Sequence, residues 1–166
     1  WITFRRTFDP IRKKVISKLR DGSYKIAIIR DPLERFISSC NLVYNHFNIK
    51  DEHDLDIPFK PETIDECIEL VKLLIASDKH FIPQTRFLDN LKQYDTVIDM
   101  NDLQLLVNIL QDKMDINLYL PEINKTKNKK FNLSDMNMEQ RKIVMGLYNC
   151  DYINFNGLHL DHNGIE

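Results

Sequence analysis

One junction in the sequence constrains the fold more than any other feature: a short apolar run that ends where a helix begins. Residues 24–29 (Tyr-Lys-Ile-Ala-Ile-Ile) are mostly apolar and rich in β-branched side chains, which is typical of a strand buried on both faces of a parallel sheet. Arg30 ends the run. Residues 31–34 (Asp-Pro-Leu-Glu) then supply a capping carboxylate, a proline for the first helical position and a glutamate that can reach back to the cap. The sequence therefore predicts a buried strand that leads directly into a helix.

The rest of the chain repeats strand and helix signals. Residues 94–100 predict a second buried strand. Four predicted helices start at capping residues: Asp9, Thr63, Asn101, and Ser134 or Asp135. We expect the helix after Thr63, which has a capping box with Glu66, to reach about Ser77, and the last helix to reach about Tyr152. This order predicts an α/β fold with three layers, a mainly parallel sheet flanked by helices, over residues 1–157, and an irregular tail at 158–166.

Charge and composition exclude several classes of protein. The chain has 23 lysines and arginines against 25 aspartates and glutamates, a formal net charge of −2. Bulk charge therefore argues against a nucleic-acid partner, whose phosphates demand a basic surface, although a local basic patch stays open. No apolar run is long enough to span a bilayer. The three cysteines form no Cys-x-x-Cys pair, which argues against a zinc site or a disulfide framework, although a single disulfide stays open. We predict no metal.

The strand–helix junction carries the features of an anion site. Arg30 lies at the carboxyl end of the predicted strand, the edge where open α/β sheets bind ligands. A cation beside a helix N-terminus favours an anion, and the planar fork of arginine matches phosphate oxygens. Ser38, two turns along the helix, can add a neutral hydrogen bond. Arg35 is either a solvated i,i+4 partner of Asp31 or a further ligand contact.

The pattern Arg-Asp-Pro-x-x-Arg-x-x-Ser over residues 30–38 resembles the 3′-phosphate-binding motif of sulfotransferases that use 3′-phosphoadenosine-5′-phosphosulfate. The resemblance implies that Arg30 and Ser38 contact the 3′-phosphate of this co-substrate; Arg35 matches a common family arginine without an assigned role. The chain is similar to carbohydrate-type, family 2-like members. That similarity implies a P-loop-like sulfotransferase fold and transfer of a sulfuryl group to a carbohydrate hydroxyl.

Four later segments resemble elements of the same family in the same order. They are His80-x-x-Pro83-Gln84, the strand region 94–103, Asn124-x-Thr126 after Pro121, and Tyr148-x-x-Asp151-Tyr152-x-x-Phe155. The second segment departs at Asn101, where members often have glutamate. His80 either removes the proton of the acceptor hydroxyl as a general base or has a structural or substrate-binding role.

The family's glycine-, lysine- and serine/threonine-containing loop, which holds the 5′-phosphosulfate, has no counterpart before Arg30. Because residue 1 is Trp, we expect the chain to begin after that loop; a degenerate protein is the alternative. Residues 1–166 alone are then expected to transfer no measurable sulfate, since preorganised donors at the developing charge are missing.

Two other functions stay open: a nucleotide or sugar kinase, and a non-catalytic nucleotide-binding module of the same fold. The Arg30/Ser38 pair favours the sulfotransferase, because kinases need no 3′-phosphate pocket. We predict a bacterial-type cytoplasmic location, with the Golgi lumen and a removed N-terminal anchor as the alternative; the oligomeric state is not predicted.

Two groups of residues have simpler interpretations than ligand binding. A basic run in a polar loop consists of Lys125, Lys127, Lys129 and Lys130, and a solvated loop is favoured over a contact with an anionic ligand. His159 and His162 resemble a metal pair but lie in the predicted tail without a third ligand, so an exposed tail is favoured.

Overall fold

The computed structural model describes residues 24–47, 57–88, 91–114 and 128–155. The protein is mixed α/β, mostly helical, with a small parallel sheet. The chain divides into two compact units. The first comprises Trp1–Ile29 and Leu91–Pro121, and the second comprises Arg30–Asn90 and Glu122–Glu166. The predicted opening helix, most of the lysine-rich loop and the C-terminal tail lie outside the described residues.

The first unit contains the sheet. Strands β1 (Ile26–Ile29) and β2 (Thr96–Asp99) pair in parallel, with Ile28 opposite Ile98. The prediction that both segments are strands of one parallel sheet is therefore confirmed. Each strand is shorter than predicted. The Asp95 carboxylate accepts a 2.6 Å hydrogen bond from the Lys25 amide at the entrance to the sheet, and Met100 belongs to a 3₁₀ turn. Within the described residues the sheet has two strands.

Helix α4 (Leu103–Met114) follows β2 through a 3₁₀ turn, Met100–Asp102. The Asp99 carboxylate accepts a 2.7 Å hydrogen bond from the Asn101 amide, so Asp99 is the capping residue and Asn101 lies inside the turn. The predicted cap at Asn101 was wrong by two positions. The cause is the inserted 3₁₀ turn, whose tighter winding the apolar periodicity does not reveal.

Helix α1 (Pro32–His46) begins the second unit as the sequence predicts. Asp31 caps it, with Oδ1 accepting a 3.0 Å hydrogen bond from the Glu34 amide, and Pro32 is the first helical residue. The helix buries one apolar face in the core of the unit. That core is a cluster of fully or nearly fully buried residues: Leu33, Phe36, Ile37, Cys40, Val43, Ile64, Cys67, Ile68, Leu70, Val71, Phe81, Phe131, Met136, Val144 and Tyr148.

Helix α2 (Ile64–Leu74) has the predicted capping box. Thr63 Oγ1 accepts a 3.2 Å hydrogen bond from the Glu66 amide, and Glu66 Oε2 accepts one from the Thr63 amide. The helix ends at Leu74 rather than near Ser77, because residues 75–77 tighten into a turn in which the Ser77 amide donates to the Leu74 carbonyl.

Replacing Thr63 with alanine is expected to lower the free energy of unfolding by about 1 kcal/mol, because one helix amide loses its acceptor. Urea denaturation measures the change. Thr63→Ser is the matched control: it keeps the hydroxyl and should retain most of the stability. An alanine variant as stable as the wild type would show that the cap contributes nothing.

Two short helices replace the single long C-terminal helix that the sequence predicts. Helix α5 (Met138–Leu147) is capped by Asn137, and helix α6 (Asn149–Phe155) follows after a break at Tyr148. Ahead of them, Leu133–Asp135 forms a separate 3₁₀ turn. The predicted start at Ser134 or Asp135 was wrong because the capping interaction of Asp135 belongs to this turn, in which Asp135 Oδ2 accepts from the Asn132 amide. A one-turn helix, α3 (Thr85–Leu88), completes the unit.

Candidate functional site

The main chain of Arg30 is held by a single amide side chain. The Arg30 amide donates to Gln84 Oε1 at 3.0 Å, and Gln84 Nε2 donates to the Arg30 carbonyl at 2.7 Å. The two bonds imitate a step of a β-ladder, with the glutamine side chain in place of a strand. Gln84 is buried, so this pair fixes the position of Arg30 at the point where the chain leaves β1.

A buried carboxylate holds Gln84 in turn. Asp151, which is fully buried, accepts 2.9 Å hydrogen bonds from the Gln84 amide, the Thr85 amide and the Thr85 hydroxyl. Hydrogen bonds to a carboxylate are charge-assisted and are stronger than those between neutral groups. Asp151 on α6 thereby fixes the start of α3 and, through Gln84, the main chain of Arg30.

Three segments that are remote in sequence therefore meet in one hydrogen-bonded network. Arg30 begins the Arg-Asp-Pro segment, Gln84 ends the His-x-x-Pro-Gln segment, and Asp151 belongs to the Tyr-x-x-Asp-Tyr segment. The network joins residues 54 and 67 positions apart. All three segments are in the second unit.

Arg35 brings a second cation to this region. Its Nη2 donates to the Lys79 carbonyl at 3.3 Å. Burial lowers the pKa of the Arg35 guanidinium, while nearby Tyr148 and Asp151 oppose that change and nearby Arg30 adds to it. Arginine keeps its proton at neutral pH in spite of such a shift. The site therefore holds a partly desolvated positive charge near the Asp151 carboxylate.

Two buried donors of the site make no hydrogen bond within the described part of the chain: Arg30 Nε and the Tyr148 hydroxyl. Arg30 Nε lies 3.6 Å from Glu34 Oε2, an ion-pair contact one helical turn away. Burial raises the pKa of the Tyr148 hydroxyl, so the phenol stays a neutral donor. Buried donors without acceptors are rare in native proteins, and here they lie in a region with two arginines, as an anion site requires.

His80 is fixed by its neighbours on both sides. Its Nδ1 lies 2.9 Å from Asp78 Oδ1, which also accepts from the His80 amide at 2.8 Å. The Ser39 hydroxyl donates to the His80 carbonyl at 2.9 Å. When Nδ1 carries the proton that faces Asp78, Nε2 is the basic nitrogen of the ring. Ser39, the residue after Ser38 on α1, thus holds the segment that carries His80 against that helix.

Ser38 lies on α1 and is partly exposed. The serine that fastens the His80 segment is its neighbour Ser39, which sequence reasoning did not single out. The structure brings Arg30, Arg35 and the His80 segment together through hydrogen bonds that involve the main chain. Ser38 lies on the same helix as Arg35.

Lys130, in the described part of the basic run, makes its contacts with residues outside that network. Lys130 Nζ lies 3.3 Å from Glu62 Oε2 and 5.4 Å from the centre of the Tyr44 ring. Lys129 is exposed, and Lys125 and Lys127 lie outside the described residues. The ion pair of Lys130 agrees with the interpretation of this run as a solvated segment.

No family model, no curated protein and no solved structure matches this chain. In the described ranges, no group of three or more histidine, cysteine, aspartate or glutamate side chains is placed to hold a metal ion. Of the helices within those ranges, none is long and apolar enough to cross a membrane. The geometry of the second unit therefore carries the functional argument.

Proposed function

We propose that the protein is a sulfotransferase that uses 3′-phosphoadenosine-5′-phosphosulfate and transfers its sulfuryl group to a carbohydrate hydroxyl. The observation that carries the proposal is the network in which Asp151 holds Gln84 and Gln84 holds Arg30. Each of these residues belongs to a segment that resembles the sulfotransferase family, and the network brings the three segments together. This convergence supports a common function for the three segments.

The chemistry of the site suits the 3′-phosphate of the co-substrate. Arg30 and Arg35 supply two positive charges, and a phosphate monoester carries close to two negative charges at neutral pH. The buried Arg30 Nε makes no hydrogen bond within the described residues, so a phosphate oxygen would satisfy it. Ser38 on α1 would add a hydroxyl donor to the same group.

The proposed reaction is an in-line displacement at sulfur, in which positioning and charge stabilisation do most of the catalytic work. His80 is the candidate general base, since its contact with Asp78 orients the ring, and with the proton on Nδ1 the other ring nitrogen, Nε2, is the proton acceptor. In this proposal, the acceptor proton passes to His80 Nε2 as the hydroxyl oxygen attacks sulfur, and the sulfuryl–phosphate bond breaks.

The finer description of the fold belongs to the same proposal. A P-loop-like sulfotransferase has three layers with helices on both faces of a mainly parallel sheet, and the parallel pairing of β1 with β2 supports this proposal. The carbohydrate acceptor and a bacterial-type cytoplasmic location are parts of the proposal that rest on the family resemblance.

Replacing Arg30 with alanine is expected to weaken binding of adenosine 3′,5′-bisphosphate by about 1.5–3 kcal/mol, the contribution of a charged hydrogen bond. Binding of adenosine 5′-monophosphate should change little, because that nucleotide lacks the 3′-phosphate. Isothermal titration calorimetry measures both affinities. The replacement leaves the main-chain bonds to Gln84 available, so the network that positions the site is retained.

Lys142→Ala is the matched control, since Lys142 is an exposed cation on α5; it should bind both nucleotides like the wild type. Arg30→Lys separates charge from geometry: a lysine keeps the charge but loses the planar fork, so partial loss is expected. Equal wild-type affinities for the two nucleotides would rule out a 3′-phosphate site. Phosphoryl transfer in place of sulfuryl transfer would favour the kinase. Because residues 1–166 alone are expected to transfer no sulfate, only tight binding without either activity in a chain extended upstream would favour the non-catalytic module.

A further inference from the structure

Both ends of the Gln84 carboxamide bind the main chain of one residue, Arg30. Its Oε1 accepts from the Arg30 amide at 3.0 Å, and its Nε2 donates to the Arg30 carbonyl at 2.7 Å. Only 9% of the Gln84 surface is exposed, so water competes little for these bonds. The main chain of Gln84 is fixed in turn, because its amide donates to Asp151 Oδ2 at 2.9 Å. The placement of Arg30 therefore depends on a side chain 54 positions away.

We propose that Gln84 is a positioning residue that sets the affinity of the Arg30 site for a phosphate monoester without contacting the phosphate itself. This assignment rests on the proposed function, since it requires the 3′-phosphate of the nucleotide to bind at Arg30. The guanidinium binds the phosphate, and Gln84 holds the Arg30 main chain in the orientation from which the guanidinium reaches it. Loss of the Gln84 side chain then weakens binding although the arginine is unchanged.

The two bonds depend on the chemistry of the Gln84 side chain as well as on its length. A carboxamide carries an acceptor oxygen and a donor nitrogen, and one main-chain residue presents the complementary donor and acceptor. An ionised glutamate accepts but does not donate, and it would add a negative charge beside the proposed anion site. Methionine is about as long as glutamine but makes neither bond. Replacement by methionine therefore removes the support of Arg30 and keeps the main-chain bond from residue 84 to Asp151.

The guanidinium of Arg30 needs such a support because it lies at the end of a long side chain with several rotatable bonds. Its planar fork binds two phosphate oxygens only from a limited range of orientations. Arg30 is held at both ends: Gln84 binds its main chain, and its Nε lies 3.6 Å from Glu34 Oε2. In metal sites, groups that orient a ligating side chain change affinity by roughly 10- to 100-fold. We expect the lower end of that range, because Gln84 holds one of several proposed phosphate ligands.

The test compares the affinities of the whole chain for adenosine 3′,5′-bisphosphate and adenosine 5′-monophosphate by isothermal titration calorimetry. Gln84→Met should weaken binding of the bisphosphate by about tenfold and leave binding of the monophosphate nearly unchanged. Gln140→Met is the matched control. Gln140 Oε1 accepts from the Asn137 amide at 3.0 Å, and its Nε2 donates to Asp65 Oδ1 at 2.8 Å. This variant loses the same kinds of bond outside the network, so it should bind both nucleotides like the wild type.

The double variant Arg30→Ala/Gln84→Met decides whether Gln84 acts through Arg30. If it does, the double variant should bind the bisphosphate no more weakly than Arg30→Ala alone. A further loss in the double variant would mean that Gln84 affects the ligand by another route, and it would overturn the proposal. Gln84→Asn serves where Gln84→Met fails to fold. Its amide group is about 1.5 Å closer to the main chain, so it cannot span both bonds and should show the same tenfold loss.

Amide hydrogen exchange in the nucleotide-free protein tests the contact without any ligand. The Arg30 amide should exchange at least about tenfold faster in Gln84→Met than in the wild type, because it loses its acceptor. Equal wild-type affinities for the two nucleotides, beside this change in exchange, would remove the 3′-phosphate site and with it both the proposed function and the role of Gln84. A wild-type preference for the bisphosphate that persists in Gln84→Met would overturn the role of Gln84 alone.

Discussion

Replacing Asp151 with alanine is expected to lower the free energy of unfolding by about 3–5 kcal/mol, the largest effect that the second unit predicts for one side chain. The carboxylate is fully buried and accepts hydrogen bonds from two amides and one hydroxyl. Of these donors, the Gln84 amide loses the most stabilisation, because Gln84 is buried and its amide cannot bind water instead. Thr85 is partly exposed and can recover part of its loss through solvent.

The charge of Asp151 adds to this loss. Burial lowers the pKa of the Arg35 guanidinium, and Asp151 is one of the groups that raise it. The alanine variant removes the carboxylate and leaves the guanidinium less compensated. Asp151→Asn preserves the volume of the side chain but carries no charge. Its Nδ2 group would also face a hydrogen-bond donor, and two donors cannot bond to each other. A loss comparable to that of the alanine variant is therefore expected.

Chemical denaturation monitored by circular dichroism measures the change. Asp65→Ala is the matched control, because Asp65 is an exposed aspartate that accepts one hydrogen bond from Gln140; its removal should cost less than about 1 kcal/mol. If Asp151→Ala proved no less stable than Asp65→Ala, the network from Asp151 to Arg30 would not exist in the folded protein.

Local sequence signals predicted those parts of the fold that local chemistry decides. The Asp31 cap, Pro32 at the first helical position and the Thr63 capping box depend on residues three positions apart or fewer, and the sequence displays such pairs directly. The parallel pairing of β1 with β2 was predictable because β1 is a continuous apolar run, which is typical of a strand in a parallel sheet. Helix ends were less predictable. The break at Tyr148 interrupts an apolar pattern that runs through it without change.

The candidate site was predicted in part. Arg30, Arg35, Ser38 and His80 could be named from spacing and resemblance, but not the contacts that position them. The bonds between Gln84 and the Arg30 main chain, and between Asp151 and the Gln84 amide, are made across large separations in sequence. Any buried amide or carboxylate can satisfy a main-chain group, so no residue pattern marks the partners in advance. Ser39 and Asn41 were missed for the same reason.

Replacing Asn41 with alanine is expected to lower the free energy of unfolding by about 2–4 kcal/mol. The buried Asn41 side chain donates to the Ile37 and Phe131 carbonyls at 3.0 and 2.8 Å. Its Oδ1 accepts from the Lys130 and Phe131 amides at 2.7 and 3.0 Å. One amide group on α1 thus holds the segment that enters the core at Phe131.

The size of the effect follows from the surroundings of these four groups. Lys130 is exposed, so its amide can bind water instead, and the Ile37 carbonyl can accept from the helix itself. Phe131 is buried at 3% exposure, so its amide and its carbonyl both lose their partner without access to solvent. Two buried, unsatisfied main-chain groups at about 1–2 kcal/mol each give the stated range.

Two further variants identify the cause of the loss, each measured by urea denaturation beside Asn41→Ala. Asn41→Leu keeps the branched shape in a somewhat larger side chain that makes no hydrogen bonds, and it should be about as unstable as the alanine variant if the hydrogen bonds dominate. Asn45→Ala is the matched control: its amide donates to the Asn41 and Asn128 carbonyls, and Asn128 is exposed, so the cost should stay below about 1 kcal/mol. Recovery of wild-type stability in Asn41→Leu would mean that Asn41 acts by filling space, and that the segment at Phe131 is held by packing alone.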